Sequence, residues 1–191
     1  MANSQEDKNR NHERIVEIAA RRFREVGLEG ASIADVMKEA GLTHGGFYKH
    51  FDSRDDLVLE AMATALRSGT SGKGSAAPKG PLTFESVIEA YLNKRHRDDA
   101  GSGCAMAALL SDVGRANEET KAVFTSQVQR NIEGLQRVLA ADSRPDDKQS
   151  AIVVLCLMAG ALGIARAVAD EKLSLEILAS AREFILSRSN G

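Results

Sequence analysis

The sequence lacks several features that define whole classes of protein. It has no tryptophan, only three prolines and two cysteines, and aromatic residues make up 4% of the chain. The two cysteines form no CxxC motif, and no histidines stand at metal-ligand spacing, which argues against a disulfide framework and a zinc site. We therefore predict neither a metal nor a cofactor.

An excess of positive charge is also missing. The chain carries 25 Lys and Arg against 27 Asp and Glu, a formal net charge of −2. The first 54 residues contain nine basic and nine acidic side chains. If this chain binds a nucleic acid, the positive field must arise from where the charges lie rather than from their sum.

No hydrophobic run reaches the length of a membrane span. The apolar stretch Ala151–Ala165 ends at Arg166, short of the roughly 20 residues that a span needs. Residues 1–12 are polar, which predicts that no signal peptide is present. The predicted localisation is cytoplasmic.

Hydrophobic residues recur with helical period, and no strand alternation or internal repeat is visible. We predict an all-α fold of about nine helices, with an N-terminal three-helix domain, 1–53, and a larger helical domain, 54–191. The first helix ends at Gly27. The helices after the first domain are predicted at about 54–67, 83–98, 103–115, 117–141, 146–169 and 173–188.

The stretch Ser68–Pro81 is rich in Gly, Ser and Pro and superficially resembles a phosphate-binding loop. The spacing fails, because Arg67 occupies the first glycine position and Gly74 follows Lys73 where Ser or Thr is needed. No strand precedes it. We predict a flexible loop.

The stretch Ser32–Phe51 contains two short helical segments around a glycine. Ser32 can cap the first segment together with Asp35. Gly41 then permits a tight turn, and Thr43 can cap a helix that runs to Phe51. This arrangement predicts a helix-turn-helix unit, whose second helix enters the DNA major groove. Residues 43–51 are called the recognition segment below.

The recognition segment has no acidic residue. Gly45 and Gly46 cost roughly 1 kcal/mol each in a helix relative to Ala, and close approach of the backbone to DNA would account for that cost. The alternative is that the glycines only relax a helix start packed against its neighbour. Tyr48 offers a hydroxyl to a phosphate, whereas Phe47 and Phe51 are predicted to be core.

Residues Ile15 to Leu59 resemble the DNA-binding domain of the TetR (tetracycline-repressor-like) family. The matching positions are Ile15, Ala19, Phe23, Gly27, Ser32, Ile33, Val36, Ala40, Gly41, Leu42, Thr43, Gly45, Gly46, Phe47, Tyr48, His50, Phe51, Ser53, Asp56 and Leu57. The ending Tyr48-x-His50-Phe51 is the most specific part. The remaining two-thirds of the chain is similar to the family chiefly in layout.

The resemblance implies a transcriptional regulator that binds double-stranded DNA at a palindromic operator as a homodimer, most commonly a repressor released by a small-molecule effector. Two positions depart from the family pattern: His44 replaces a usual lysine, and Met37 replaces a usual small residue. The residues assigned to DNA binding are Ser32, Thr43, His44, Gly45, Gly46, Tyr48, Lys49 and His50.

The resemblance also implies that the last two long helices form a four-helix interface between protomers. The helix predicted at 146–169 is apolar on nearly all sides, so we expect most of its surface to be buried. The residues assigned to the dimer interface are Ile152, Leu155, Ala159, Gly160, Gly163, Ile177, Ala181 and Phe184.

The middle helices, about 83–141, are predicted to enclose an effector pocket. The mixture of apolar groups with few charges favours a small, largely apolar effector, although each of these residues can equally be ordinary core. The candidate lining residues are Phe84, Ile88, Tyr91, Met106, Leu109, Leu110, Phe124 and Val128.

Cys104 is predicted to begin a helix, where the helix dipole favours a thiolate. Its place resembles that of cysteines in family members that sense electrophiles or oxidants, so Cys104 is a possible redox sensor. The alternative is an inert packing residue. Cys156 lies within an apolar run and is predicted to be structural.

The sequence gives little support to two other classes of function. No Ser/His/Asp, Cys/His or paired-carboxylate arrangement supports an enzyme, and His96 with Cys104 is too little to build on, so the chain is predicted not to be one. The neutral charge of the first 54 residues leaves open a helical interaction module that does not bind DNA.

Overall fold

The computed structural model describes residues 5–68 and 81–188. Within these two ranges the regular structure is entirely helical, which confirms the predicted all-α fold class. Residues 69–80, most of the predicted flexible loop, lie outside the described residues. The helices are α1 Gln5–Gly30, α2 Ile33–Glu39, a 3₁₀ helix His44–Lys49, α3 Arg54–Ser68, α4 Phe84–Tyr91, α5 Lys94–Asp98, α6 Ala105–Arg115, α7 Glu118–Ala141, α8 Lys148–Ala167 and α9 Glu171–Arg188.

The described ranges hold ten helices rather than about nine, because the helix predicted at 83–98 is divided at Asn93. The side-chain amide of Asn93 donates to the carbonyl oxygens of Glu89 at 2.9 Å and Ala90 at 2.8 Å, near the end of α4. Its side-chain oxygen accepts from the amide of His96 at 2.9 Å and so caps α5. One asparagine therefore closes one helix and opens the next.

Gly27 interrupts α1 as predicted. Its φ is 78° and its ψ is 170°, which are not helical values, and a further helical turn reaches Gly30. The positive φ favours glycine. A Cβ at Gly27 would lie 3.5 Å from the carboxylate of Asp112 on α6, so this break lies where α1 meets the larger domain.

Two hydrophobic cores organise the described residues. The first joins α1, α2, the recognition segment and α3, and it also takes in one face of α6, including Leu109 and Val113. The second joins α4, α7, α8 and α9 around Phe84, Ile88 and Leu162. The first core thus continues beyond residue 53, and the boundary between 1–53 and 54–191 stays a prediction.

Helix α8 differs from its prediction in burial. It is long and apolar enough to cross a membrane by length and composition, with a mean hydropathy of 2.0, a test that core helices also pass. One face packs into the second core, yet only 39% of its most apolar window is buried. The prediction that most of the surface of this helix is buried is therefore wrong for a single chain. The residues exposed along α8 include Ile152, Val153, Cys156 and Ile164.

Candidate nucleic-acid interface

Helix α2 begins with the predicted cap. The hydroxyl oxygen of Ser32 accepts a hydrogen bond from the amide of Asp35 at 3.1 Å, and the hydroxyl donates to the Asp35 carboxylate at 2.7 Å. This bond satisfies one of the backbone donors that a helix start leaves free. The acidic side chain in the first turn adds a favourable interaction with the helix dipole.

The turn after α2 also forms as predicted. Gly41 has a φ of 71°, and its amide donates to the carbonyl oxygen of Lys38 at 3.0 Å. The amide of Leu42 reaches back to the carbonyl oxygen of Met37 at 2.9 Å. These two bonds define a Schellman motif, which ends α2 and directs the chain into the recognition segment.

The recognition segment is a 3₁₀ helix over His44–Lys49, which is shorter than the helix predicted to run from the Thr43 cap to Phe51. Thr43 stands at the N-cap position, but its side chain makes no capping bond there. Gly45 and Gly46 are the poorest helix formers apart from proline. A short 3₁₀ turn is the form that such a segment adopts when packing, rather than propensity, holds it.

Phe47 and Phe51 turn inward, as predicted. They are 1% and 3% exposed, and their rings stack with centroids 5.3 Å apart. Burial of this side turns the opposite side outward, and Tyr48 is 69% exposed. Of the residues assigned to DNA binding, Ser32, Thr43, His44, Gly45, Tyr48 and Lys49 are exposed, and Gly46 and His50 are half-buried.

The surroundings of Gly45 bear on why it is a glycine. Among the residues that the structure describes, no heavy atom outside its chain neighbours and the backbone of its own helix lies within 4 Å of a Cβ built on Gly45. Its φ is not positive either. Neither internal packing nor backbone conformation therefore requires glycine at this position, which favours close approach of an external partner over a packing role. Gly46 differs, since a Cβ there would contact Met37 and Thr43 at 3.6 Å.

Ion pairs engage several of the acidic side chains that balance the charge of the N-terminal region. Arg21 pairs with Glu25 at 2.6 Å and also with Glu39 on α2. Arg54 pairs with Glu29 at 3.3 Å. These acids are compensated locally, so the recognition segment, which has Lys49 and no acid, keeps its own positive character.

His50 ends the 3₁₀ helix and is half-buried. Burial lowers the pKa of His50, and the positive charges of His12, Lys8 and Lys49 lower it further. Its Nδ1 atom is buried and has no hydrogen-bond partner among the described residues. Both effects favour the uncharged form of the ring.

The sequence pattern missed His12, which belongs to the polar stretch 1–12. His12 lies three and four positions before Ile15 and Val16 on the buried face of α1. Its Nε2 atom lies 2.7 Å from a carboxylate oxygen of Glu60 on α3, and its ring stacks on Phe51. The i, i+3, i+4 spacing was the signal that would have placed it on that face.

The candidate effector-pocket residues do not come together. Phe84 and Ile88 are fully buried in the second core, whereas Leu109 is fully buried in the first. Leu110 is 54% exposed, because α6 turns the neighbouring Leu109 towards α1 and α3. The prediction that Leu110 lines a pocket is therefore wrong. Met106 is buried, and Tyr91, Phe124 and Val128 are half-buried.

A cavity of about 300 Å³ lies elsewhere, between the end of α7, the start of α8 and the end of α9. Among the predicted residues only Phe184 lines it, and Phe184 was assigned to the dimer interface. The lining residues are Leu139, Pro145, Asp147, Gln149, Ser150, Val153, Val154, Leu157, Phe184 and Ile185.

Cys104 lies at the N-cap of α6, as predicted, and joins a histidine-centred cluster. Its amide donates to Nε2 of His96 at 2.9 Å, and Nδ1 of His96 lies 2.7 Å from the carbonyl oxygen of Tyr91. His96 is fully buried, and burial lowers its pKa to about 4. A neutral imidazole that accepts at Nε2 and donates at Nδ1 fits this geometry.

Arg166 covers the same cluster. Its Nη2 atom donates to the carbonyl oxygen of His96 at 2.7 Å, and its Nη1 atom is buried without a hydrogen-bond partner among the described residues. Burial raises the pKa of Tyr91, with a further contribution from Cys104. Cys156, by contrast, is exposed in the single chain, and its structural role stays a prediction.

A capped short helix, a glycine turn and a recognition segment with one buried and one exposed side define a helix-turn-helix DNA-binding domain. The family model for "Bacterial regulatory proteins, tetR family" matches residues 15–61. Over residues 15–61 the chain belongs to the TetR family.

Named relatives extend this likeness. The HTH-type transcriptional regulator YerO of Bacillus subtilis is 36% identical over 149 residues, which cover 69% of this chain and 50% of YerO. The HTH-type transcriptional repressor KstR2 of Rhodococcus jostii is 25% identical over 114 residues, which cover 60% of this chain and 55% of KstR2. The chain thus spans about half the length of the curated relatives it matches.

Solved structures share the whole fold. A TetR-family transcriptional regulator from Cytophaga hutchinsonii superimposes with a TM-score of 0.76 at 18% identity, and the match covers 94% of this chain and 95% of that one. At this identity the likeness supports the arrangement of the helices, including those beyond residue 61, and no shared ligand.

Proposed function

We propose that the chain is a homodimeric transcriptional repressor whose recognition segment reads a palindromic operator in the major groove. The observation that carries the proposal is the two-sided recognition segment, which anchors Phe47 and Phe51 inside and presents Tyr48 outside. Gly45 leaves open space beside that exposed side, as close approach to base edges requires. Residues 1–53 would then act as the reading domain of a cytoplasmic protein.

A stripe on α8 supports the homodimer. Ile152, Cys156, Gly160 and Ile164 follow one another at intervals of four, and Ile152, Cys156 and Ile164 are exposed. A Cβ at Gly160 would meet no heavy atom of another part of the described chain within 4 Å, so a second helix can approach closely there. Rows at i±4 are the ridges along which helices pack. On α9, the exposed Phe184 extends the apolar surface.

We further propose that residues 54–191 bind a small, largely apolar effector that releases the operator. Helix α3 packs against both α1 and α7, so it connects the reading domain with the larger one. An effector that favours a different placement of α3 would shift the dimer away from the DNA-binding form. The similarity to KstR2, described as a repressor, supports repression over activation.

The test measures binding of purified protein to duplexes enriched from a random library, by fluorescence anisotropy. Tyr48→Ala and Lys49→Ala should each abolish detectable binding, and wild-type affinity should fall steeply with added salt. Lys172→Ala is the matched control, since Lys172 is exposed on α9, and it should bind as wild type does. Wild-type affinity of both recognition-segment variants would refute the assignment.

A second candidate is regulation through Cys104, and its specific support is the cluster around that residue. The thiol stands at a helix N-cap, beside Tyr91, and the buried guanidinium of Arg166 covers the neighbouring His96.

The test for this second candidate uses Cys156→Ser as the background, because Cys156 is exposed and would react as well. A maleimide should release DNA from this background, and the addition of Cys104→Ser should prevent release. Release that persists without Cys104 would remove the candidate and leave the effector proposal intact.

A further inference from the structure

We propose that His12, on α1, is a positioning residue for DNA binding. It holds the recognition segment in the geometry that binds DNA. The inference rests on the proposed function, since it concerns the same segment. His12 itself lies behind the recognition segment, on the side of Phe51, and its effect on DNA would pass through the residues it touches.

A column of four rings connects His12 with the exposed surface. The ring of His12 stacks on Phe51 with centroids 4.6 Å apart and planes 24° apart. Phe51 stacks on Phe47 at 5.3 Å, and Phe47 meets Tyr48 edge-on at 5.2 Å. A displacement of the first ring therefore reaches, through two buried rings, the tyrosine that the proposal places on DNA.

The His12 ring is itself held from a third element. Its Nε2 atom lies 2.7 Å from Glu60 on α3, and the His12 side chain is 30% exposed. The contact connects α1 with α3 through the ring that stacks on Phe51. Because α3 packs against both α1 and α7, the bond also makes the placement of the recognition segment sensitive to where α3 lies.

The recognition segment needs such support. It is a 3₁₀ helix of six residues with two glycines and no side-chain N-cap, so its own hydrogen bonds hold it weakly. Its geometry must come from packing, and the described packing includes Phe47 and Phe51 in the core and His12 over Phe51.

The charged groups that act on the pair of histidines lie on α1, α3 and the recognition segment. The His12 and His50 rings lie 6.1 Å apart. Lys8 on α1 and Lys49 on the recognition segment add positive charge there, and Glu60 on α3 offsets it. Glu60 is the acidic side chain that contacts His12. Its removal should therefore disturb the position of the His12 ring.

The test reads the position of Tyr48 directly, without DNA. The chain has only two tyrosines, so 3-fluorotyrosine labels Tyr48 and Tyr91 alone, and the Tyr91 resonance is an internal control. His12→Ala should move the ¹⁹F resonance of Tyr48, leave that of Tyr91 in place, and weaken binding to a library-selected duplex by about three- to tenfold, the factor that an aromatic pair is worth.

Conservative and partner variants separate positioning from a general loss of structure. His12→Phe keeps the stack on Phe51, so it should return the Tyr48 resonance and most of the affinity. Glu60→Ala removes the tether at a half-exposed site, and it should also shift the Tyr48 resonance. Glu17→Ala, on an exposed position of α1, should change neither.

The outcomes are distinct. A Tyr48 resonance and an affinity that both stay at wild-type values in His12→Ala overturn the inference. If His12→Ala fails to fold, an unmoved Tyr48 resonance in Glu60→Ala overturns it. If no duplex is enriched at all, the DNA-binding proposal fails, while the Tyr48 shift still decides whether His12 positions the segment.

Discussion

The Nε atom of Arg24 donates a hydrogen bond of 2.6 Å to the carbonyl oxygen of Gly101. This bond joins α1, in the reading domain, to the turn between α5 and α6. A Cβ at Gly101 would lie 2.5 Å from a carboxylate oxygen of Glu25, so the turn lies directly against α1. The same turn leads into Cys104, whose amide binds His96.

Removal of the Arg24 guanidinium should therefore loosen this junction. Arg24→Met keeps the apolar stem and deletes the donors, and we expect it to lower the free energy of unfolding by about 1.5–3 kcal/mol, as for hydrogen bonds to charged groups. The measurement is urea unfolding followed by circular dichroism. Arg137→Met, on an exposed position of α7, should stay within about 0.5 kcal/mol of wild type. A loss of equal size in both variants would contradict the role of Arg24.

Gly45→Ala separates folding from DNA binding. An added methyl group meets no other part of the described chain within 4 Å, and Ala favours helical backbone by about 1 kcal/mol over Gly. The variant should therefore unfold at the same or a higher urea concentration. Binding to a selected duplex should nevertheless weaken by roughly tenfold, as the loss of about 1.4 kcal/mol from one close contact would give.

Gly114→Ala provides the comparison for that variant, because a Cβ there likewise meets nothing within 4 Å in the described chain. It lies on α6, away from the recognition segment, and should keep wild-type affinity. Unchanged DNA binding by Gly45→Ala would show that the glycine serves no close approach.

His96 makes stability depend on pH in a defined window. Its pKa is lowered by burial from 6.5 to about 4, so between these values the unfolded chain takes up a proton that the folded chain does not. Stability present above pH 6.5 is therefore lost as the pH falls towards 4, by about 3 kcal/mol in total. His96→Gln lacks this contribution, and the difference in unfolding free energy between wild type and variant should shrink accordingly from pH 7 to pH 4.

The exposed His44 supplies the control for that measurement. His44→Gln should retain the pH dependence of wild type. If His96→Gln retains it as well, the acid sensitivity originates elsewhere in the chain.

Disruption of the α8 stripe should dissociate the homodimer. Ile164 is 56% exposed in the single chain, and Ile164→Glu would place a charge in the proposed interface. Wild type should sediment at twice the 20.5 kDa chain mass and the variant at the chain mass. In the Cys104→Ser chain, Cys156 should react slowly with a maleimide. In the Cys104→Ser chain that also carries Ile164→Glu, it should react quickly. A wild-type chain that sediments as a monomer would contradict the interface.

Local signals in the sequence predicted the reading domain well. The Ser32 cap and the Gly41 turn involve neighbours in the chain, and both form as predicted. The 3₁₀ form of the recognition segment was not predicted, because tertiary packing of Phe47 and Phe51, rather than helix propensity, holds that segment.

Relations between distant helices were harder to predict. Helix α8 is apolar on almost every side, and periodicity alone does not tell core from an uncovered interface. Leu109 and Leu110 were both assigned to a pocket, yet they diverge, because the face that α6 turns towards α1 and α3 depends on the fold of the whole chain. His12 and Glu60 are 48 positions apart, a separation that no local pattern reports.

The most direct test of the central claim is selection of duplexes from a random DNA library with the purified wild-type chain. The account predicts an enriched consensus with two-fold symmetry, whose half-sites lie about one helical turn of 10 bp or a multiple of it apart, and which Tyr48→Ala does not bind. No enrichment, or an enriched sequence that Tyr48→Ala binds as tightly as wild type, would contradict it.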